Sequence, residues 1–250
     1  MTDGVKEMMD TLLTIDHVND IAIVTLNRPA ARNALSLGLQ QEIATTFQAL
    51  GGDTRVSAII LTGAGNSAFC AGLDLCELAA GVDLVNGPVN PVAAVAECPI
   101  PVIGAINGAA ITGGFELALA CDVLIASDNA FFADTHAKMG VMPGWGLSQR
   151  LARRIGIGRA LELSLSARPL SAAQALQWGL VNHVAPADTL LSQALDLARD
   201  IAQWDDAFIR KYKSLIKEGF GLPEQEALAR ERTISGAFNA KLNAAEVGKR

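Results

Sequence analysis

The chain has 250 residues, of which half are hydrophobic and 18% are charged, so it can bury the core of one large domain, alone or with a small appendage. With 20 basic and 26 acidic side chains its formal net charge is −6, which argues against general nucleic-acid binding but leaves room for a local basic site for a phosphorylated ligand. The four cysteines form no CxxC pair and the three histidines are scattered, which indicates reduced thiols in a cytoplasmic protein and predicts no metal site.

Membrane and export signals are not evident in the sequence. No apolar stretch approaches the roughly 20 residues that a membrane-spanning helix needs. The first ten residues, MTDGVKEMMD, are acidic and lack the apolar centre of a signal peptide. We therefore expect a cytoplasmic protein with no membrane and no nucleic-acid partner.

The first two thirds of the chain alternate between strand and helix patterns. Runs of β-branched and other apolar residues predict strands at IAIVTL (21–26), VSAIILTG (56–63), PVIGAING (101–108), DVLIAS (122–127) and AFFAD (130–134). SLGLQQEIATTFQAL (36–50) has apolar residues at helical spacing, with Ser36 placed to cap the helix. A short helix begins at Gly113–Gly114. This alternation predicts an α/β fold.

Helical patterns dominate from about residue 144 onward. We expect residues 1–190 to form an α/β core and residues 191–250 to form a helical C-terminal region. The stretch 79–97, AAGVDLVNGPVNPVAAVAE, contains Gly, Pro and Asn residues that predict a mobile loop.

GAGNSA (63–68) follows a predicted strand and matches the GxGxxA pattern of dinucleotide-binding loops. The next residues, FCAGLDL, do not form the long helix that such a loop requires. The ribose-binding acid could only be Asp83, which lies in a Gly-bounded loop. A glycine-rich turn is the preferred interpretation, with a dinucleotide site as the alternative.

Two further glycine turns each precede a predicted helix start. AFCAGLDL (68–75) has Gly72 before a start at Leu73–Asp74, and GGFE (113–116) opens a second helix. Backbone N–H groups at helix starts are free to bind an anion. Two such turns facing each other would form an oxyanion hole, and the alternative is that each is only a tight strand-to-helix turn.

Glu116 is the one charged residue within ITGGFELALAC (111–121). An acid this close to a helix start can simply be favoured by the helix dipole. The all-apolar continuation argues instead for a partly desolvated carboxylate, whose raised pKa suits proton transfer.

Several of these segments together resemble the crotonase family, the enoyl-CoA hydratases and isomerases. The resemblance covers residues 12 to 220 and rests on LNRPAARNAL, FCAGLDL, PVIGAINGAAITGGFELALACDVLIAS, GVMPGWGLSQRLARRIG and ALQWGLVNHV, in that order. It implies a spiral of ββα units followed by helices that pack against neighbouring subunits, in a homotrimer or homohexamer. It also implies an acyl-CoA thioester substrate, with coenzyme A as part of the substrate and no separate cofactor.

The resemblance assigns the two oxyanion-hole donors to the backbone N–H groups of Leu73 and Gly113. They would polarise the thioester carbonyl and stabilise an enolate. The first catalytic glutamate of the family falls on Glu116, which in a hydratase would hold the water that adds to the β-carbon.

The second catalytic glutamate of the family is replaced by His136 in this chain. An imidazole titrates near neutrality, so His136 could take over the carboxylate's role, or it could be a structural residue of the pocket wall. Asp134 would share a strand face with His136 and either orient the imidazole or cap a loop. Gly144, where some members carry an acid, supplies no proton donor.

The remaining substrate contacts are also implied by the resemblance. The residues expected to bind the substrate are Arg28, Arg32, Ala71, Gly72, Asp74, Leu75, Gly114 and Trp145. The two arginines would meet phosphates or the adenine region, and residues 71–75 would line the adenine and pantetheine side. Trp145 would contact the acyl tail or pack in the core. Lys213 and Lys217 could reach phosphates, but a solvated helical face is preferred.

These features predict an enzyme that hydrates a trans-2-enoyl-CoA, with Glu116 and His136 as catalytic residues. A double-bond isomerase, for which one base suffices, is an alternative that shares the same pocket. A non-catalytic acyl-CoA-binding protein is the other alternative, which the loss of the second glutamate favours and the retention of Glu116 opposes.

Overall fold

The computed structural model describes residues 11–85 and 87–240. Its strands are β1 (Leu13–Val18), β2 (Ile21–Leu26), β3 (Ala58–Gly63), β4 (Ala68–Cys70), β5 (Val102–Ile106), β6 (Ala109–Ile111), β7 (Val123–Ser127), β8 (Phe131–Ala133), β9 (Leu170–Ser171) and β10 (His183–Ala185). Its α-helices are α1 (Leu37–Gly52), α2 (Leu75–Ala79), α3 (Pro91–Glu97), α4 (Gly113–Ala120), α5 (His136–Met139), α6 (Leu147–Ile155), α7 (Ile157–Ser166), α8 (Ala172–Trp178), α9 (Leu190–Ala202), α10 (Asp206–Phe220) and α11 (Glu224–Asn239).

The strands form two sheets. The larger sheet has the order β1-β2-β3-β5-β7-β10, and the smaller one has the order β4-β6-β8-β9. Pairing is parallel except between β1 and β2 and between β8 and β9. Successive turns of the chain add one strand to each sheet and then a helix, as in β5–β6–α4 and β7–β8–α5. The expected α/β spiral of ββα units is confirmed.

The strand predicted at 21–26 and the helix predicted at 36–50 are both present. The β-branched run of β2 is buried along almost its whole length, and helix α1 begins after Ser36, whose hydroxyl accepts a hydrogen bond from the Leu39 N–H at 3.2 Å. The GxGxxA segment leads into strand β4 and not into a long helix. The dinucleotide alternative is therefore wrong, because such a site needs a helix N-terminus directed at the pyrophosphate.

The 79–97 region is partly helical, contrary to the predicted loop. Helix α3 has Asn90 as its N-cap, with Oδ1 accepting from the Ala93 N–H at 2.9 Å, and Pro91 at its first position. Proline is well suited to that position because its missing N–H would have no helical partner there. The Asn-Pro pair is thus a helix start signal.

Helix α9 packs against the larger sheet. Leu190, Ala194 and Ala198, spaced four residues apart, are buried among side chains that include Ile60 and Ile125. By these contacts α9 belongs to the core, although the predicted boundary at residue 190 assigns it to the C-terminal region. Helices α10 and α11 contain no buried residue, and the packing of this region against other subunits stays a prediction.

Candidate active site

A cavity of about 230 Å³ lies between the β4–α2 turn, the start of α4, helix α5 and the segment that precedes α6. Its lining residues are Ala71, Leu73, Leu75, Leu78, Val85, Ile111, Thr112, Gly113, Glu116, Thr135, His136, Met139, Val141, Met142, Gly144 and Trp145. Most of these side chains are apolar. Among the described residues of the lining, Glu116 and His136 are the titratable ones.

The two glycine turns predicted from the sequence face each other at this cavity. Gly72 has a φ of +96°, and a Cβ atom there would lie 2.9 Å from the Ile111 carbonyl oxygen and 3.5 Å from the Gly113 nitrogen. Only glycine allows this approach and this backbone conformation. The turn after β4 and the start of α4 are therefore in direct contact.

The N–H groups of Leu73 and Gly113 have no hydrogen-bond acceptor among the residues that the structure describes. Leu73 pairs with Leu35 in an isolated β-bridge. The hydrogen bonds of this bridge are donated by the N–H groups of Leu35 and Asp74, so the Leu73 N–H takes no part in it. Gly113 is the first residue of α4, where N–H groups have no helical partner. Both residues line the cavity, so each brings to it a backbone N–H group that is not used by the described protein.

Gly114 is not among the residues that line the cavity, and its expected contact with the substrate stays a prediction. A Cβ atom at Gly114 would lie 2.1 Å from the carbonyl oxygen of Cys70 in β4. The glycine thus allows helix α4 to pack directly on the backbone of that strand. Its contribution in this structure is to the placement of Gly113 and Glu116.

Thr112 has an unusual backbone conformation immediately before Gly113. Its φ is +51° and its ψ is −108°, which β-branched residues rarely adopt. Its N–H donates to the Ala133 carbonyl oxygen at 2.9 Å, and its hydroxyl lies 2.5 Å from the Thr135 hydroxyl. These bonds connect the start of α4 to the residue that precedes His136. Sequence reasoning missed both threonines.

Glu116 is buried and held by backbone groups from outside its own helix. Its Oε1 accepts hydrogen bonds from the N–H groups of Trp145 at 2.9 Å and Leu147 at 3.1 Å. Burial raises the pKa of Glu116, and these two hydrogen bonds oppose the rise. Oε2 accepts no hydrogen bond from any described residue and is not enclosed by protein, so it is the oxygen available to a ligand.

His136 is paired with Asp134. The imidazole Nδ1 lies 2.7 Å from Asp134 Oδ1, which also accepts the His136 backbone N–H at 3.1 Å. Burial acts to raise the pKa of Asp134, but hydrogen bonds from His136 and Ser164 outweigh it and hold the pKa below its usual value. An ionised Asp134 fixes the ring orientation and leaves Nε2 of His136 without a hydrogen-bond partner among the described residues.

Arg28 and Asp74 form an ion pair of 2.9 Å. Arg28 Nη1 also donates to the Ala34 carbonyl oxygen at 2.5 Å, and Asp74 caps α2 by accepting from the N–H groups of Cys76 and Glu77. Burial acts to raise the pKa of Asp74, but the bond from Arg28 and the two backbone N–H groups hold it below its usual value. This pair braces the β4–α2 turn, and a phosphate contact by Arg28 stays a prediction.

The other expected substrate contacts differ in position. Ala71 and Leu75 line the cavity, while Arg32 is exposed outside its lining and offers its carbonyl oxygen to the Ala71 N–H at 3.0 Å. Trp145 is buried, lines the cavity and has its Cζ3 3.2 Å from where a Cβ of Gly113 would lie. Its backbone N–H also donates a hydrogen bond to Glu116 Oε1 at 2.9 Å.

Lys213 does not lie on a solvated helical face, contrary to the preferred interpretation. Its Nζ forms an ion pair with Asp122 and donates to the carbonyl oxygens of Cys98 at 2.8 Å and Ile100 at 2.7 Å. Burial lowers the pKa of Lys213, and the Asp122 charge opposes this. Lys217 also pairs with Asp122, at 2.9 Å. Both lysines are thus occupied by contacts that anchor α10.

Metal-binding and membrane-spanning features were also sought in the part of the chain that the structure describes. No cluster of three or more His, Cys, Asp or Glu side chains there is arranged to hold a metal ion. Within the same residues, every helix is too short or too polar to cross a membrane.

Comparison with known proteins gives extensive matches. The family model described as enoyl-CoA hydratase/isomerase matches residues 16–248. A probable peroxisomal enoyl-CoA hydratase 1 of Arabidopsis thaliana is 41% identical over 220 residues, which cover 87% of this chain and 83% of that protein. The short-chain-enoyl-CoA hydratase of Clostridium acetobutylicum is 36% identical over 222 residues, covering 86% and 85%. The crystal structure of an enoyl-CoA hydratase from Bacillus anthracis superimposes with a TM-score of 0.87 at 33% identity, covering 94% of each chain.

Proposed function

Because this chain belongs to the enoyl-CoA hydratase/isomerase family, we propose that it adds water to a trans-2-enoyl-CoA. The observation that carries the proposal is the composition of one cavity. It combines two backbone N–H groups without protein acceptors, the free oxygen of the Glu116 carboxylate and the His136–Asp134 pair. Together these groups supply what hydration of a conjugated thioester requires.

The N–H groups of Leu73 and Gly113 are proposed to bind the thioester carbonyl oxygen. Water attack at the β-carbon moves the electron pair of the double bond toward that oxygen and generates an enolate. Two fixed amide donors stabilise this negative charge, and the loss of one such donor generally raises a barrier by about 3 kcal/mol. The mostly apolar lining strengthens the effect by excluding water.

Glu116 Oε2 is proposed to act as the base toward the attacking water. Because Trp145 and Leu147 hold Oε1, the carboxylate has one oxygen fixed and one free to accept a proton. Burial raises the pKa of Glu116, which brings its basicity closer to what proton abstraction from water needs near neutral pH.

His136 is proposed to replace the second carboxylate of the family. With Nδ1 bound to ionised Asp134, the protonated ring can donate from Nε2 to the α-carbon. The water oxygen then bonds to the β-carbon, Glu116 takes the water proton, and His136 protonates the enolate. Proton return from Glu116 to His136 through solvent restores both groups, so the net change is the addition of one water molecule.

The other expectations remain proposals of the same kind. We propose that coenzyme A enters only as part of the substrate, that no separate cofactor is needed and that the protein is cytoplasmic. We also propose a homotrimer or homohexamer, which is supported by exposed apolar side chains on α7 and α10, including Ile157, Leu165, Ile216 and Phe220. Light scattering of the purified protein tests the assembly, and a monomer would contradict it.

A double-bond isomerase is the second candidate. One observation favours it: among the described residues that line the cavity, Glu116 supplies the single carboxylate. One base could carry a proton between C2 and C4 of the acyl chain without any water. The non-catalytic alternative is opposed by the free Oε2 and the fixed geometry of Glu116.

The test follows the loss of enoyl-thioester absorbance with crotonyl-CoA and with a longer trans-2-enoyl-CoA. The wild type is compared with Glu116→Gln and His136→Ala. We expect turnover by the wild type and a loss of about 100-fold or more in each variant. Full activity in His136→Ala would make this residue structural, and wild-type inactivity with tight binding would favour the isomerase or the binding protein.

A further inference from the structure

The Glu116 carboxylate owes its orientation to a three-residue turn, Trp145–Leu147, that lies outside its own helix. Both N–H groups that bind Oε1 come from the ends of this turn. Gly146 in its centre has a φ of +107° and no side chain that could cap α6. The turn therefore needs a support of its own if it is to hold a buried carboxylate.

Arg150 supplies that support from the first turn of α6. Its Nη1 donates to the Trp145 carbonyl oxygen at 2.8 Å, in the middle of the segment that bears the two donors. A Cβ atom at Gly146 would lie 3.0 Å from the same Nη1 and 3.3 Å from Cζ. The guanidinium thus lies directly against the turn, in space that only glycine leaves open.

From these contacts we propose that Arg150 is a positioning residue for the reaction: it anchors the Trp145–Leu147 turn so that Glu116 presents Oε2 to the substrate. The inference rests on the proposed function, in which Glu116 is the base. Arg150 acts through the backbone of the turn and not through contact with the reacting atoms, since it is absent from the described lining of the cavity.

The charged surroundings are consistent with this role. Burial lowers the pKa of the Arg150 guanidinium, and the charges of Glu116 and Glu97 oppose the effect. The charge of His136 acts to lower the pKa of Glu116, and the charge of Asp134 acts to raise it. Without Arg150 the turn can relax and weaken one of the bonds to Oε1. Each lost bond of this kind raises a carboxyl pKa by about one unit.

The experiment compares Arg150→Met and Arg150→Lys with Arg153→Met. Arg153 is the matched control because it lies on the same helix, is exposed and, among the residues that the structure describes, bonds only to Gln149. We expect Arg150→Met to lower kcat about tenfold or more with little change in KM. Because Glu116 must be ionised to act as a base, its raised pKa should move the acid limb of kcat/KM up by about one pH unit. Arg150→Lys should show a smaller loss of kcat and a smaller shift of the acid limb, and Arg153→Met should match the wild type.

A second readout does not depend on turnover. The infrared band of the protonated Glu116 carboxyl, identified by its absence in Glu116→Gln, is titrated in the wild type and in Arg150→Met. An unshifted titration and an unshifted acid limb would overturn the positioning role, as would an equal effect of Arg153→Met. A shifted band in a protein that hydrates no enoyl-CoA would support the role of Arg150 and refute the proposed function. Should Arg150→Met fail to fold, Arg150→Lys carries the same test with a smaller expected shift.

Discussion

Replacement of Gly114 by alanine tests whether close packing of α4 on β4 positions the site. The new Cβ atom would lie 2.1 Å from the Cys70 carbonyl oxygen, 2.7 Å from the Cys70 carbonyl carbon and 2.8 Å from its Cβ. Real Cβ atoms stay at least about 3.0 Å from such neighbours. Because two of these neighbours are backbone atoms, the clash cannot be relieved by a side-chain rotation.

The helix must therefore move away from the strand by about 0.9 Å, the difference between 3.0 and 2.1 Å. The same movement displaces the Gly113 N–H and Glu116, which lie on the first turn of α4. A misplacement of about 1 Å can lower a rate about 100-fold. Overpacking of this kind costs about 1–3 kcal/mol, which corresponds to a fall in Tm of about 2–4 °C per kcal/mol for a chain of this size.

The assay measures kcat with crotonyl-CoA and Tm by circular dichroism. Gly158→Ala is the control, since nothing lies within 4 Å of its new Cβ and it is also in a helix. That change should preserve activity and leave Tm unchanged or slightly higher. Wild-type kcat in folded Gly114→Ala would refute the argument that this contact positions the site, even if Tm falls.

Three further predictions concern charged groups. A carboxyl whose pKa is raised by burial stabilises the fold below its unfolded pKa and loses that contribution as pH rises through the folded pKa. Because burial raises the pKa of Glu116, Glu116→Gln should raise Tm at pH 8, by a margin that shrinks toward pH 4. A difference in Tm between variant and wild type that does not change with pH, measured by calorimetry, would contradict this. Asp134→Asn should lower kcat about 100-fold or more, because His136 Nδ1 loses its anionic partner; wild-type kcat in this variant would exclude the pair from proton transfer. Lys213→Met should cost about 3 kcal/mol in urea unfolding, because it removes a largely desolvated ammonium group, 11% exposed, that pairs with Asp122. The more exposed Lys217→Met should cost less than about 1 kcal/mol. Equal losses in the two variants would refute the argument that exposure sets the difference.

The long elements of the fold were predictable from local patterns. The apolar runs of β2, β3, β5 and β7 and the capped helix α1 lie where the sequence places them, because each has its period and its boundary signals within one segment. Strands β4 and β6, each of three residues, were missed. Their existence depends on pairing with each other across the chain.

The features of the site that could not be predicted from the sequence depend on contacts between distant segments. The Gly72 and Gly113 turns and Glu116 carried local signals: glycines before or at predicted helix starts and an acid in an apolar run. The donors to Glu116 are backbone N–H groups about 30 residues further on, and any residue type except proline could provide them. Only the fold brings them to the carboxylate.

The partners of two basic residues were not predictable for the same reason. Arg28 forms an ion pair of 2.9 Å with Asp74, a contact that its local sequence does not indicate, and its expected contact with the phosphates or the adenine region stays a prediction. Lys213 was expected in solvent, although its ammonium group lies against Asp122 and two carbonyl oxygens. A long basic side chain on an amphipathic helix carries no local sign of which partner it will meet.

Incorporation of solvent oxygen into the product tests the central claim most directly. A trans-2-enoyl-CoA is incubated with the enzyme in ¹⁸O-labelled water, and the acyl-CoA is analysed by mass spectrometry. Hydration with Glu116 as the base predicts a 3-hydroxyacyl-CoA that carries one labelled oxygen, formed by the wild type and almost absent with Glu116→Gln. An unlabelled product with a displaced double bond, or equal labelling by both proteins, would contradict it.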